Sequence, residues 1–196
     1  MKKGLKGIAC VILSAGQSRR MGTHKALLKF NENLRFIDRI IEVYKNFGIT
    51  EVIVVAGESL KNELNVASDV KIVTNQHPEF ERFYSVKLAC ESLSREVELC
   101  FLQNCDNPFV NEELLENMIN LPEESDCAVP VYMNQGGHPV LINKTIIEYI
   151  QSIDGKNSNL KDILSKFRTM KIITNDETVK ININSPEEYE KYFINK

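Results

Sequence analysis

Arg20 and Lys25 flank Gly22 in Gly16-Gln17-Ser18-Arg19-Arg20-Met21-Gly22-Thr23-His24-Lys25, a basic, glycine-bounded stretch just beyond the apolar run 7–13. Residues of these types suit a polyphosphate. Gly16 and Gly22 let the backbone take conformations closed to other residues and bring amide N–H groups close to phosphate oxygens. Ser18 adds a hydroxyl donor. Arg20 forks onto two phosphate oxygens, whereas Lys25 is a compact point charge, so the two serve different parts of one triphosphate. The spacing is not that of a Walker A loop, because no Gly-Lys-Ser/Thr follows. Nor is it the Gly-x-Gly-x-x-Gly dinucleotide fingerprint. On residue types alone, an ordinary βα turn with solvated cations is equally open.

Three more groups have chemical potential. Asp106 lies just past a strand in Asn104-Cys105-Asp106-Asn107-Pro108-Phe109, where Pro108 keeps Asn107 out of the right-handed helical region and holds the turn open. Such an aspartate reads either as a turn or capping residue or as a metal ligand. Gly136-Gly137-His138-Pro139 reads as a loop with unusual dihedrals before a strand. In Ile181-Asn182-Ile183-Asn184-Ser185-Pro186-Glu187-Glu188, alternation puts Asn182 and Asn184 on one face of a strand. Ser185, Pro186 and Glu188 form a helix start, with a capping serine, a proline at the first position and a closing glutamate.

The elements that position these groups alternate along the chain. Strands are expected over 7–13, 51–56, 70–73, 98–102, 127–131, 139–142, 170–173 and 179–183. Helices are expected over 34–47, with Gly48 as C-cap, then 86–93, 111–119 capped by Asn111, 144–152, 160–166 and 186–193. This order predicts an α/β fold, a Rossmann-like three-layer sandwich whose mixed sheet is mostly parallel, in a single domain over 1–196. Ligands in such sheets collect at the C-terminal ends of strands near a switch in strand order, which is where the loop after residue 13 and Asp106 would stand.

Composition narrows the function classes. The 196 residues are 43% hydrophobic, enough for a sizeable core, and the formal net charge of -3 provides no global basic field for nucleic acid or an acidic membrane. Attraction for polyphosphate is therefore local. Arg19, Arg20, Lys25 and Lys29 concentrate charge at the loop, while Lys2, Lys3 and Lys6 read as solubilising the N-terminus. The five cysteines, Cys10, Cys90, Cys100, Cys105 and Cys127, are odd in number with no Cys-x-x-Cys spacing, which argues against a disulfide framework or zinc ribbon and for a reducing, cytoplasmic compartment. No run approaches the roughly 20 apolar residues of a membrane helix.

The stretch from Leu13 to Lys25 resembles the Leu-Ala-Ala/Gly-Gly-x-Ser-x-Arg-Met-Gly-x-x-Lys motif of MobA-like nucleotidyltransferases, which activate molybdopterin with CTP or GTP. Ser14 replaces the first alanine of that motif; Gly16, Ser18, Arg20, Met21, Gly22 and Lys25 fit it. Cys105-Asp106-Asn107-Pro108-Phe109-Val110 is similar to the family's second motif, which implies that Asp106 binds the Mg²⁺ bridging the nucleotide phosphates, Mn²⁺ being the alternative ion. Gly137-His138-Pro139 resembles the cytidylyl branch and implies that these residues line the acceptor side, with His138 hydrogen-bonding the incoming phosphate or pterin. Asn182-Ile183-Asn184 resembles the guanylyl branch and implies metal and acceptor contacts through Asn184 and Asn182, the amide oxygen ligating without charge.

The resemblance thus implies a nucleotidyltransferase of the nucleotide-diphospho-sugar transferase fold type, closest to the cytidylyl branch. Arg20, Lys25 and Asp106 would be catalytic, and Leu13, Ser14, Ala15, Gly16, Ser18, Gly22, Asn75 and Ser85 would hold the nucleotide. Its partners would be CTP or GTP, a phosphorylated acceptor such as molybdopterin, and a molybdoenzyme or maturation chaperone. Two segments depart from the pattern. Residues 75–85 lack the glycine and paired serines expected near the base, and 155–160 lack an arginine found in many members. These departures leave room for a sugar- or polyol-phosphate nucleotidyltransferase, a molybdopterin guanylyltransferase, or a nucleotide-binding maturation partner without turnover.

Overall fold

A computed structural model describes residues 5–16, 18, 20–156 and 158–194, so Lys2, Lys3, Gln17, Arg19 and Asn157 lie outside the described residues. The first strand, β1 (Ile8–Ser14), is buried on both faces. Its side chains alternate, with Cys10 and Ile12 in one apolar layer and Ala9, Val11 and Leu13 in the other. It lies in parallel between β2 (Glu51–Gly57) and β4 (Leu99–Asn104), and β3 (Val70–Asn75) extends the sheet beside β2, again in parallel.

Helices cover both faces. On one, α1 (Phe36–Phe47), α2 (Glu58–Glu63) and α4 (Glu112–Ile119) bury Ile37, Ile40, Tyr44, Leu60, Leu115 and Met118 against the sheet. On the other, α3 (Glu81–Ser92), α5 (Lys144–Ser152) and α6 (Leu160–Leu164) bury Phe83, Val86, Ile146, Ile150 and Ile163. The expected caps are present. Gly48 takes φ 107° after α1, the Asn111 side chain accepts from Leu114 N, and Ser185 and Glu188 close a capping box on α7 (Pro186–Phe193).

Beyond β4 the sheet changes polarity. The remaining strands are β5 (Cys127–Tyr132), β6 (Gln135–Gly136), β7 (Val140–Asn143) and β8 (Thr169–Ile173). β7 runs antiparallel to β4 with Val140 opposite Leu102, so the residues that enter β7 stand beside those that leave β4. β5 pairs antiparallel with β7 and β6 and parallel with β8, completing the eight-stranded sheet of order β3-β2-β1-β4-β7-β5-β6. The three-layer, mixed α/β architecture is the one expected.

Four local features differ from expectation. α3 starts at Glu81 rather than at residue 86, after a 3-10 turn over Pro78–Phe80, and the short elements α2 and β6 were not foreseen. The expected strand over 179–183 is absent. A 3-10 turn, Glu177–Lys180, is followed there by extended chain outside the sheet. The apolar residues of that segment are buried as its pattern requires, Val179 at 2% and Ile183 at 0% exposure, but its backbone is bonded otherwise than in a ladder. Asn107 Nδ2 donates to Thr178 O at 2.8 Å and Ile181 O at 2.7 Å. His138 N donates to Val179 O at 2.7 Å, and Ile183 N to Asp106 O at 2.8 Å. Side-chain and loop donors thus satisfy carbonyls that a neighbouring strand would otherwise serve.

Because Asn107 is 1% exposed and Pro108 follows it, Asn107→Ala removes the bonds to the half-buried carbonyls of Thr178 and Ile181 without freeing the turn. Chemical denaturation should show a loss of about 2–4 kcal/mol. A loss below 0.5 kcal/mol would mean that burial of Val179 and Ile183, with the backbone bonds to His138 and Asp106, holds the segment after residue 177 without Asn107.

Candidate nucleotide and acceptor site

One cavity opens at the C-terminal ends of β1 and β4, and a second lies beside it where the chain enters β7. The first, about 370 Å³, is lined by Leu13, Ser14, Ala15, Gly16, Ser18, Arg20 and Lys25 from the first motif, by Asn75 and Ser85, by Asn104, Cys105 and Asp106, and by Asn184 and Arg82. Gly22 stands outside this lining. It serves the loop's path instead, with φ 68°, whereas Gly16 has no positive φ and gains only open space from its missing side chain. Ser18 also takes a left-handed φ, 47°, and its Oγ accepts from Lys25 N at 3.2 Å, which closes the loop onto the lysine. Arg20 is exposed and has no partner among the described residues.

Several lining side chains are already engaged. Ser14 Oγ donates to Val55 O at 3.0 Å, so its hydroxyl proton is already used. Asn75 Nδ2 donates to Ser85 Oγ at 2.9 Å, and its Oδ1 accepts from His77 N at 2.8 Å, which ties the end of β3 to α3.

Asp106 is held by a buried scaffold. Tyr44 OH donates to Gln103 Oε1 at 3.1 Å, and Gln103 Nε2 donates to the carbonyls of Asn104 and Asn107, each at 2.8 Å. Cys105 N donates to Leu13 O at 3.1 Å, joining the turn to β1. Lys25 Nζ then donates to Asp106 Oδ2 at 3.0 Å and to Asn184 Oδ1 at 2.6 Å, bringing three distant segments together. The Cys105 thiol is pushed up to about 12 by burial first and by Asp106 second, so it stays protonated.

A divalent cation fits this turn in one respect. Asp106 Oδ1 is a buried carboxylate oxygen without a hydrogen-bond partner among the described residues, while Oδ2 is taken by Lys25. The Asn184 oxygen is occupied by the Lys25 ammonium, and its Nδ2 donates to Asn182 O at 3.1 Å. No cluster of three or more His, Cys, Asp or Glu exists among the described residues. A single carboxylate completed by substrate phosphates and water is a common setting for Mg²⁺.

The second cavity, about 690 Å³, is lined by Gly137 and His138, by Phe83, Val129 and Val140, and by the start of α6. Pro139 and Asn182, expected on the acceptor side, line neither cavity. Without the expected strand, Asn182 and Asn184 do not share a strand face, and Asn182 Oδ1 is buried without a partner. Gly137 lies against Val179, where a built Cβ would fall within 3.0 Å of the Val179 carbonyl, so only glycine fits. His138 Nε2 stands 2.8 Å from Asn104 Nδ2, which makes Nε2 the acceptor and assigns the ring proton to Nδ1. Burial lowers the His138 pKa to about 4; the charge of Arg82 adds to that effect and Asp106 opposes it.

Sequence reasoning passed over Gln103, Asn104, Asn107 and Arg82. Arg82 Nη2 donates to Asn104 Oδ1, and Arg82 lines both cavities. The signals were faint. Gln103-Asn104 are polar residues ending an apolar strand, and Arg82 lies in a segment read as loop.

A histidine held neutral in the folded state contributes stability that is complete above its unfolded pKa of about 6.5 and is lost as pH falls toward the folded value. Urea unfolding from pH 7 to pH 5 should cost the wild type about 2 kcal/mol more than His138→Gln. Parallel losses in the two proteins would show that His138 titrates normally.

A profile of the MobA-like NTP transferase domain matches residues 10–171. The chain is 29% identical over 196 residues, 96% of each chain, to the molybdenum cofactor guanylyltransferase of Campylobacter jejuni (strain RM1221). It is 25% identical over 190 residues, 94% of this chain and 95% of the other, to the molybdenum cofactor cytidylyltransferase of Escherichia coli (strain K12). In fold it is similar to Rv0371c of Mycobacterium tuberculosis H37Rv, solved as a complex with manganese, with a TM-score of 0.78, 16% identity, and coverage of 97% of this chain and 100% of that one. The chain belongs to the MobA-like NTP transferase family of nucleotidyltransferases.

Proposed function

We propose that the protein transfers a nucleoside monophosphate from CTP or GTP to the terminal phosphate of molybdopterin, releasing pyrophosphate, as a step in molybdenum cofactor biosynthesis. The observation that carries this reading is the Lys25 ammonium, which joins Asp106 and Asn184 at the mouth of a cavity lined by the glycine-bounded loop. The relatives from C. jejuni and E. coli support the acceptor, and the residues support both donors. Leu13-Ser14-Ala15-Gly16 and Gly137-His138-Pro139 favour CTP, whereas the pair Asn182 and Asn184 favours GTP.

An oxygen of the acceptor phosphate attacks the α-phosphorus in line. A new P–O bond forms, the bond from the α-phosphorus to the bridging oxygen breaks, and the electron pair leaves with pyrophosphate. The attacking oxygen is already ionised, so no general base is required. The work of the protein is positioning and charge stabilisation. Backbone amides of residues 13–16, with Arg20 and Lys25, hold the triphosphate, and the buried turn fixes Asp106. A Mg²⁺ or Mn²⁺ ion on Asp106 would supply neutralising charge to phosphate oxygens.

With Mg²⁺ and a nucleotide at 100 times its dissociation constant, the melting temperature should rise by roughly 5–10 °C, with CTP or GTP giving the larger shift. No Mg²⁺-dependent shift with any of CTP, GTP, ATP and UTP would move the assignment to a protein without turnover. Asp106→Asn keeps an acceptor for Lys25, so it should melt within a few degrees of wild type while losing on the order of 10²–10³-fold in turnover. Wild-type turnover in that variant would remove Asp106 from the metal site.

A further inference from the structure

We propose that Arg82 is the residue that binds the acceptor's phosphate, at the junction of the two cavities where the attacking and attacked phosphates meet. Arg82 is the one residue in the lining of both cavities. Its guanidinium is fixed there from below, because Nη2 donates to Asn104 at the end of β4, and Asn104 is bonded in turn to His138 ahead of β7. The remaining N–H groups of its fork have no partner among the described residues, and no carboxylate lies within ion-pair distance of it there.

The distribution of charge leaves this position to Arg82. In the first cavity Lys25 is already paired with Asp106, and Arg20, though without a partner among the described residues, does not reach the lining of the second cavity. Among the described residues the second cavity has no aspartate or glutamate in its lining, and its only other cation is Lys161 on α6. Desolvation lowers the Arg82 pKa and the charge of Asp106 opposes that effect without an ion pair, so an anionic ligand seated on the guanidinium would oppose it further. Two phosphates brought to bonding distance repel each other, and a guanidinium between them can donate to both in a fixed planar geometry. The inference rests on the proposed reaction for the identity of the anion, a phosphate monoester, but the anion site itself follows from the lining.

The test titrates inorganic phosphate against wild type, Arg82→Ala and Arg82→Lys by ³¹P line broadening, with saturating Mg²⁺-nucleotide and again without nucleotide. Arg82→Ala should weaken phosphate at least tenfold and Arg82→Lys by less, while nucleotide affinity falls by a smaller factor than phosphate affinity. Equal phosphate binding by wild type and Arg82→Ala, or a variant that loses nucleotide and keeps phosphate, overturns the assignment and leaves the proposed function standing. Arg82-dependent phosphate binding in a protein that binds no nucleotide supports the site and removes the proposed function instead.

Discussion

Two buried side-chain amides hold the site in place. Gln103 and Asn107, at 0% and 1% exposure, lie on either side of Asp106 and act on backbone carbonyls rather than on each other. Gln103 closes the turn that carries Asp106, and Asn107 reaches across to the carbonyls of residues 178 and 181. The N–H groups of such amides are held to their partners because a buried polar group left unpaired costs about 1–3 kcal/mol, although Asn107 Oδ1 itself is buried without a partner among the described residues. The same requirement that ties the amides down therefore also fixes the chain around them. Asn184 reaches Lys25 because Asn107 has already set the path of the segment that bears it.

Around this scaffold, charge is arranged by position along the cleft. Lys25 is paired with Asp106, whereas Arg20 and Arg82 have no ion pair among the described residues, so cations stand ready on the loop after β1 and at the boundary between the cavities. His138, neutral through burial, adds shape and a bond to Asn104 but no charge. A site of this kind needs no proton-transfer group, and the protonated Cys105 beside Asp106 is consistent with that.

The sequence was most legible where one residue type meets one local need. β1 declares itself through an apolar run that only a two-sided strand requires, and Gly48, Asn111 and Ser185 cap helices as their side chains dictate. The site residues of the first motif likewise line one cavity, Gly22 excepted. Residues 179–183 misled because burying Val179 and Ile183 gives the same alternating pattern whether a strand or a side-chain amide satisfies the backbone. Arg82 was missed for a related reason. Its significance comes from Asn104 and from a boundary between cavities, and neither lies near it in the chain.

The distances along the chain also bear on how the site comes into being. Lys25 and Asn184 are 159 residues apart, and Lys25 and Asp106 are 81 apart. Closing such loops adds little to the thermodynamic cost, which grows only with the logarithm of length, but contacts of this span form slowly. During synthesis the four parallel strands are complete well before residue 184 exists, so the nascent protein carries a cradle whose lysine has Asp106 but not its second partner. The final geometry around Lys25 thus waits until residue 184 has been made, about 80 residues after the parallel strands that carry the cradle are complete.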